Sequence, residues 1–94
     1  MAHRPVICVL DDDKDRCLRE ERALDEAIKA MKVDASGISN FGGNHLARSG
    51  IEDFPAIEVD GVYFHFKERG VELTFDKLCN FIDMLVRKGI VNKL

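Results

Sequence analysis

The chain has 94 residues, of which 46% are hydrophobic and 33% are charged, and this composition predicts a single globular domain spanning residues 1–94. Fourteen basic and seventeen acidic residues give a net charge of −3 without a basic stripe, which argues against nucleic-acid binding. No apolar run approaches the roughly 20 residues that span a bilayer, and no secretory signal precedes the first strand, so we expect a cytoplasmic protein that does not bind membranes.

The cysteines argue against two common roles. Their number is odd and none form a Cys-x-x-Cys pair, which disfavours both a secreted disulfide scaffold and a structural zinc site. The three histidines lack ligand spacing among themselves and with the cysteines. We therefore expect reduced thiols at Cys8, Cys17 and Cys79, and neither a metal nor a cofactor.

The first half of the chain predicts a strand, a helix and a second strand. Residues 6–10 form a continuous apolar run, the pattern of a central strand buried on both faces. Apolar positions then recur at helical spacing over residues 15–31, with Asp13 or Asp15 as the N-cap. Residues 32–35 are predicted as a weak second strand.

The middle of the chain is rich in glycine. Residues 36–43 are predicted as a loop, and residues 44–49 as a short helix that Gly50 closes. Phe54-Pro55 then precedes an alternating strand, where proline is tolerated at the first residue because it cannot donate to the sheet.

The second half predicts a hairpin followed by a helix. Asp60-Gly61 between two alternating segments is a strong hairpin signal. In the second strand we expect the apolar set to face the core, leaving Tyr63 and His65 outside; that set is Val62, Phe64 and Phe66. Thr74 is a suitable N-cap for a helix over residues 75–88, where apolar residues form one stripe.

The resulting order, β-α-β-α-β-β-α, resembles the thioredoxin and glutaredoxin superfamily over nearly the whole chain. Residues 46–55 look like the family's short helix, glycine-hydrophobe pair and cis-proline, and Gly70 looks like the glycine before its last helix. The resemblance implies a thioredoxin-like α/β fold with a mixed central sheet flanked by helices. It also implies that the Phe54-Pro55 bond is cis and borders a partner groove.

The same resemblance places the family's Cys-x-x-Cys motif at Lys14-Asp15-Arg16-Cys17, so a lysine occupies the position of the attacking cysteine. Dithiol exchange needs an exposed thiolate to attack and a second thiol to resolve the mixed disulfide. Cys17 is the one motif cysteine that remains, and we do not expect ordinary dithiol turnover.

Two hypotheses concern the reactivity of Cys17. A helix N-terminal position beside Lys14 and Arg16 would lower the pKa of its thiol, whereas the alternative is a small buried residue without chemistry. The resemblance also places Cys8 where thioredoxins carry a buried acid behind the second cysteine. A redox-sensitive Cys8–Cys17 pair is therefore a hypothesis, with plain core packing as its alternative.

Two functional classes follow from the resemblance. One is a thiol-redox protein with weak or lost activity, in which Cys17 works alone or with Cys8. The other is a non-catalytic module that holds an extended protein or peptide segment in the groove around Phe54-Pro55 by main-chain pairing.

A third interpretation comes from residues 10–15, which resemble the acidic end of the first strand in a response-regulator receiver domain. Such a site would hold Mg²⁺ between carboxylates at residues 11–13, with Asp60 as the phosphoacceptor. The hairpin signal at Asp60-Gly61 argues against it, because a receiver domain has a strand-to-helix loop at that point.

Overall fold

The computed structural model describes residues 4–41, 54–66, 68 and 70–94. The elements in chain order are β1 Val6–Asp11, α1 Lys14–Met31, β2 Ser36–Phe41, β3 Ala56–Val59, β4 Val62–His65 and α2 Phe75–Arg87. The strands form one mixed sheet in the order β2-β1-β3-β4, in which β1 runs parallel to β2 and antiparallel to β3. The chain is thus a small α/β domain. Neither described helix has the length and apolar character needed to cross a membrane.

β1 lies at the centre of the sheet and is buried on both faces, as predicted. Ile7 and Val9 face the large core beneath the helices, and Cys8 and Leu10 belong to a smaller cluster on the other face. The strand runs one residue further than predicted, to Asp11, and that carboxyl is completely buried.

α1 begins at Lys14, one residue before the predicted start. The Asp13 side chain accepts a hydrogen bond from the Arg16 amide (3.0 Å), which confirms Asp13 as an N-cap. The helix ends at Lys32, which adopts a left-handed conformation with φ of 52°. Its buried stripe contains one acid among apolar residues and consists of Cys17, Glu20, Leu24 and Ala27.

The prediction of β2 is wrong: the strand covers Ser36–Phe41, within the predicted loop, rather than residues 32–35. Gly37 is the reason, because it packs directly beneath α1. A Cβ atom at Gly37 would lie 2.9 Å from Ile28 Cδ1 and 3.0 Å from Leu24 Cδ2, so the strand needs a residue without a side chain here. The glycine therefore marks a close approach of helix and sheet, not a turn.

Residues 32–35 instead connect α1 to β2, and the C-terminal residues bind to this connection. Val33 forms an isolated antiparallel bridge with Lys93, and the Asp34 amide donates to the Asn92 carbonyl (2.8 Å). The Lys93 ammonium donates to the carbonyl of Met31 at the last position of α1 (2.9 Å).

The hairpin between β3 and β4 is confirmed. Asp60 and Gly61 both have positive φ, 48° and 88°, as a tight hairpin turn requires. The faces of β4 follow the prediction in part. The rings of Phe64 and Phe66 lie 5.2 and 5.9 Å from that of Phe81. Val62 is 57% exposed, contrary to expectation, because it adjoins the turn on an edge strand.

α2 confirms the predicted cap and apolar stripe. Thr74 Oγ1 accepts from the Lys77 amide (3.4 Å), and the buried residues are Leu78, Phe81, Ile82 and Leu85. These residues share the core with Ile7, Val9 and the α1 stripe, so both described helices pack on the same face of the sheet. The predicted helix over residues 44–49 lies outside the described residues.

Candidate functional site

Three segments meet at the N-terminal end of α1. The Arg16 guanidinium donates through Nη1 to the carbonyl of Gly70 (2.9 Å), and the Gly70 amide donates to the carbonyl of Phe54 (2.7 Å). The structure therefore connects the predicted motif, Lys14 to Cys17, with Phe54-Pro55 through Gly70. Lys14 and Asp15 are exposed, whereas Cys17 is only 1% exposed and faces the sheet.

The environment of Cys17 is the opposite of the one that activates a thiol. Burial raises its pKa and outweighs the hydrogen bond with Ser39, which lowers it, and the negative charges of Asp11 and Glu20 raise it further. Of the two hypotheses for Cys17, the structure favours the buried residue over the thiol of lowered pKa, because burial is the main cause of the raised pKa and the Arg16 guanidinium binds Asp11.

Cys8 lies on the other face of the sheet from Cys17. Cys17 approaches Ser39, whose register partner is Val9, whereas Cys8 packs with Leu10 on the opposite face. A disulfide needs Cβ atoms about 4 Å apart, and residues on opposite faces do not meet this requirement. The structure thus does not bring the hypothetical redox pair together. Both thiols are free, and burial raises the pKa of Cys8 to about 11.

Phe54-Pro55 precedes β3 at the edge of the smaller cluster. The peptide bond is cis, Pro55 is buried, and Phe54 packs against the cluster of Cys8, Leu10 and Ala56. The Phe54 carbonyl accepts from the Gly70 amide, the one donor that binds it within the part of the chain that the structure describes, and a carbonyl oxygen can accept a second hydrogen bond.

The acids of the receiver-like interpretation are not brought together. Asp60 Oδ1 accepts from the Val6 amide (3.4 Å) at the start of β1, whereas Asp11 lies at its end. Five residues of strand separate these points, about 16 Å at roughly 3.3 Å per residue. Asp13 serves as the helix cap. Within the described ranges, no three histidine, cysteine or acidic side chains are grouped so that they could hold a metal ion.

A buried cluster forms around Arg16, and the sequence predicted neither the cluster nor the part of Glu20 in it. The guanidinium binds the Asp11 carboxylate through two hydrogen bonds, Nε to Oδ2 (2.7 Å) and Nη2 to Oδ1 (2.6 Å). The Asp13 amide donates to the same carboxylate (3.1 Å). Burial alone would raise the pKa of Asp11, but these hydrogen bonds hold it well below its usual range.

Glu20 completes the cluster and is fully buried. Its Oε2 accepts from the Leu73 amide (2.9 Å), and its carboxyl lies within hydrogen-bonding reach of Asp11. Burial, followed by the contact with Asp11, raises the pKa of Glu20. One signal could have revealed it: Glu20 occupies an apolar-stripe position of α1, between Cys17 and Leu24, where a charged residue is not expected.

A cavity of about 230 Å³ lies beside the same segment. Its lining combines apolar side chains with one acid and one base, and consists of Phe66, Glu68, Val71, Leu73 and Lys77. Leu73 therefore connects the cavity to Glu20, because it is one of the lining residues and its amide donates to the buried carboxyl.

Comparison of the chain with protein-family models, with curated proteins and with solved structures gives no match in any of the three.

Proposed function

We propose that the chain is a thioredoxin-like protein whose thiol-disulfide activity is weak or lost, and that it works as a non-catalytic module binding an extended protein or peptide segment beside Phe54-Pro55. The observation that carries the proposal is the burial of Cys17, the one remaining motif cysteine, together with the raised pKa of its thiol. An enzyme of this class needs an exposed, low-pKa thiolate at that point.

The charge of Arg16 supports the same interpretation. A guanidinium beside a reactive cysteine stabilises the thiolate, but here both edges of the group are bound, to Asp11 and to the Gly70 carbonyl. Lys14 is exposed at the start of the helix and cannot act as a thiol nucleophile. The motif region thus serves to attach α1 to Gly70 and, through it, to Phe54.

The surface near this attachment suits an extended segment with an apolar side chain. Val71 and Phe75 are 37% and 39% exposed, and Val71 also lines the cavity. Glu68 and Lys77 place both signs of charge in the cavity wall. Main-chain pairing at Phe54 can use at most one further hydrogen bond to its carbonyl oxygen. We therefore assign most of the binding to side chains of the bound segment that enter the cavity.

We predict that Val71→Glu abolishes peptide binding. Peptides of about 12 residues selected from a displayed library on the wild-type domain should lose at least about tenfold in affinity for the variant, because a carboxylate would enter an apolar wall. Ile90→Glu is the matched control, since Ile90 is 38% exposed but lies beyond α2. Equal loss in both variants, or no selectable peptide, would contradict the proposed site.

The second candidate function is a weak thiol-redox protein, favoured by the position of Cys17 in the first turn of α1. Reduction of a protein disulfide separates the two. We expect wild type and Cys17→Ser to be equally inactive, and Cys17 to react slowly with iodoacetamide because it is buried. Turnover that disappears in Cys17→Ser would favour the enzyme.

Lys14→Cys, with Lys14→Ser as its control, tests the motif assignment within the same assay. Lys14 is exposed at the N-terminal end of α1, so a cysteine there should react with disulfides, and only the cysteine variant should gain exchange activity. A folded but inactive Lys14→Cys variant would contradict the assignment.

A further inference from the structure

We propose that Asp11 and Glu20 share a single proton, and that this proton stabilises the attachment of residues 70–73 to α1. The attachment therefore weakens as pH rises and the proton is lost. The inference is independent of what the neighbouring cavity binds. Two buried carboxyls face one guanidinium, and their hydrogen bonds determine which of them carries the proton.

Only one of the two carboxyls in the cluster is ionised. Asp11 and Glu20 are both fully buried, and among the described residues Arg16 supplies the one positive charge that binds Asp11 and acts on Glu20. Two ionised carboxylates in contact repel each other strongly when water is excluded, which is why paired acids in proteins share a proton. The cluster is electrically balanced only when one of the two carboxyls is neutral.

The hydrogen bonds decide which carboxyl carries the proton. Asp11 receives three donors, two from Arg16 and one from the Asp13 amide, and these stabilise the ionised form. Glu20 receives one donor, the Leu73 amide at Oε2. Its Oε1 is buried and receives no donor from the described residues. A proton on Glu20 allows it to donate to Asp11, which satisfies both groups.

Among the described residues, the other elements packed around Glu20 bring no competing charge. The residues that α2 buries are all apolar, and β2 contains no charged residue. In the segment 70–73, the Glu72 carboxylate is bound at the surface by Arg19 (2.7 Å). The protonation of Glu20 thus depends on its burial, on Asp11, on the Leu73 amide and on the charge of Arg16.

Loss of the proton would act on the segment through Leu73. Arg16 and the Asp13 amide hold Asp11 in place, so an ionised Glu20 is the group that must turn toward water. That movement breaks its bond to the Leu73 amide. The bonds from Arg16 to Gly70 and from Arg19 to Glu72 would remain, so residues 70–73 loosen without detaching.

A carboxyl and amide NMR titration of the full chain tests the proposal. We expect the Glu20 carboxyl carbon to keep its protonated shift at pH 7 and to titrate well above the ordinary glutamate value of about 4.3. The Leu73 amide should move with the same midpoint in wild type and lack that transition in Glu20→Gln. In Asp11→Asn, the midpoint of Glu20 should fall, because Arg16 then pairs with Glu20.

Each alternative result overturns a specific part of the proposal. Titration of Glu20 near the ordinary glutamate value of about 4.3 would show that no proton is retained. An unchanged Glu20 midpoint in Asp11→Asn would exclude sharing. A high titration midpoint for Glu20 without a matching transition at the Leu73 amide would show that the proton does not stabilise the attachment of residues 70–73.

Discussion

Replacing Glu20 by glutamine should stabilise the protein at neutral and alkaline pH, by on the order of 4 kcal/mol at pH 7. The substitution keeps the shape of the side chain. Its carbonyl oxygen can accept from the Leu73 amide, and its NH₂ group can donate to Asp11 as the protonated acid does. Few substitutions of a fully buried acid are expected to stabilise a fold, which makes the result distinctive.

The expected gain follows from proton linkage. The pKa of Glu20 is raised in the folded chain by burial and by Asp11, so the folded state holds a proton that the unfolded state releases above about pH 4.3. Stability is therefore lost as pH rises from that value toward the folded pKa, at about 1.4 kcal/mol per pH unit. Glutamine has no such proton and removes the loss.

Urea denaturation from pH 4 to pH 9 measures this effect. The two proteins should have similar free energies of unfolding near pH 4 and diverge steadily above it. Glu26→Gln, on the exposed side of the same helix, should follow wild type throughout. Parallel curves for wild type and Glu20→Gln would show that Glu20 is ionised in the folded protein.

The double variant Asp11→Asn with Glu20→Gln should be less stable than the two single variants together predict, by about 2 kcal/mol. Each single variant leaves one carboxylate for Arg16, since Glu20 can ionise when Asp11 is neutral. The double variant leaves none among the buried groups. The Arg16 side chain is only 16% exposed, so its charge would be poorly solvated.

A double-mutant cycle at pH 7 by urea denaturation measures this coupling. The matched control pairs Asp12→Asn with Glu20→Gln. Asp12 also contacts Arg16 Nη2 (3.3 Å), but its side chain is 57% exposed, so this pair should be additive. Additivity of the Asp11 and Glu20 substitutions within about 0.5 kcal/mol would mean that the cluster does not function as a unit.

Much of the fold could be predicted from local patterns. The continuous apolar run of β1, the Asp60-Gly61 turn and the Thr74 cap each depend on residues close in sequence, and each prediction is confirmed. β2 could not be predicted, because Gly37 is explained only by the side chains of α1 that lie over it.

The site was less accessible to sequence analysis because it depends on contacts between distant residues. Glu20 and Leu73 are 53 positions apart, and so are Arg19 and Glu72. The position of Cys17 on the stripe of α1 could be read from the sequence, but the direction of its pKa shift depends on its burial and on the nearby charges of Asp11 and Glu20. An arginine next to a cysteine in the sequence does not show which group its guanidinium binds in the folded protein.

The bond from Lys93 to the end of α1 also bears on the kinetics of unfolding. It joins residues 62 positions apart, and α2 must return the chain across the sheet before the two can meet. Contacts that close such long loops form late, since the loop entropy is lost before the contact is gained. Interactions that are absent from the folding transition state slow unfolding without speeding folding. We therefore expect the C-terminal residues to contribute to the lifetime of the folded protein more than to the rate at which it forms.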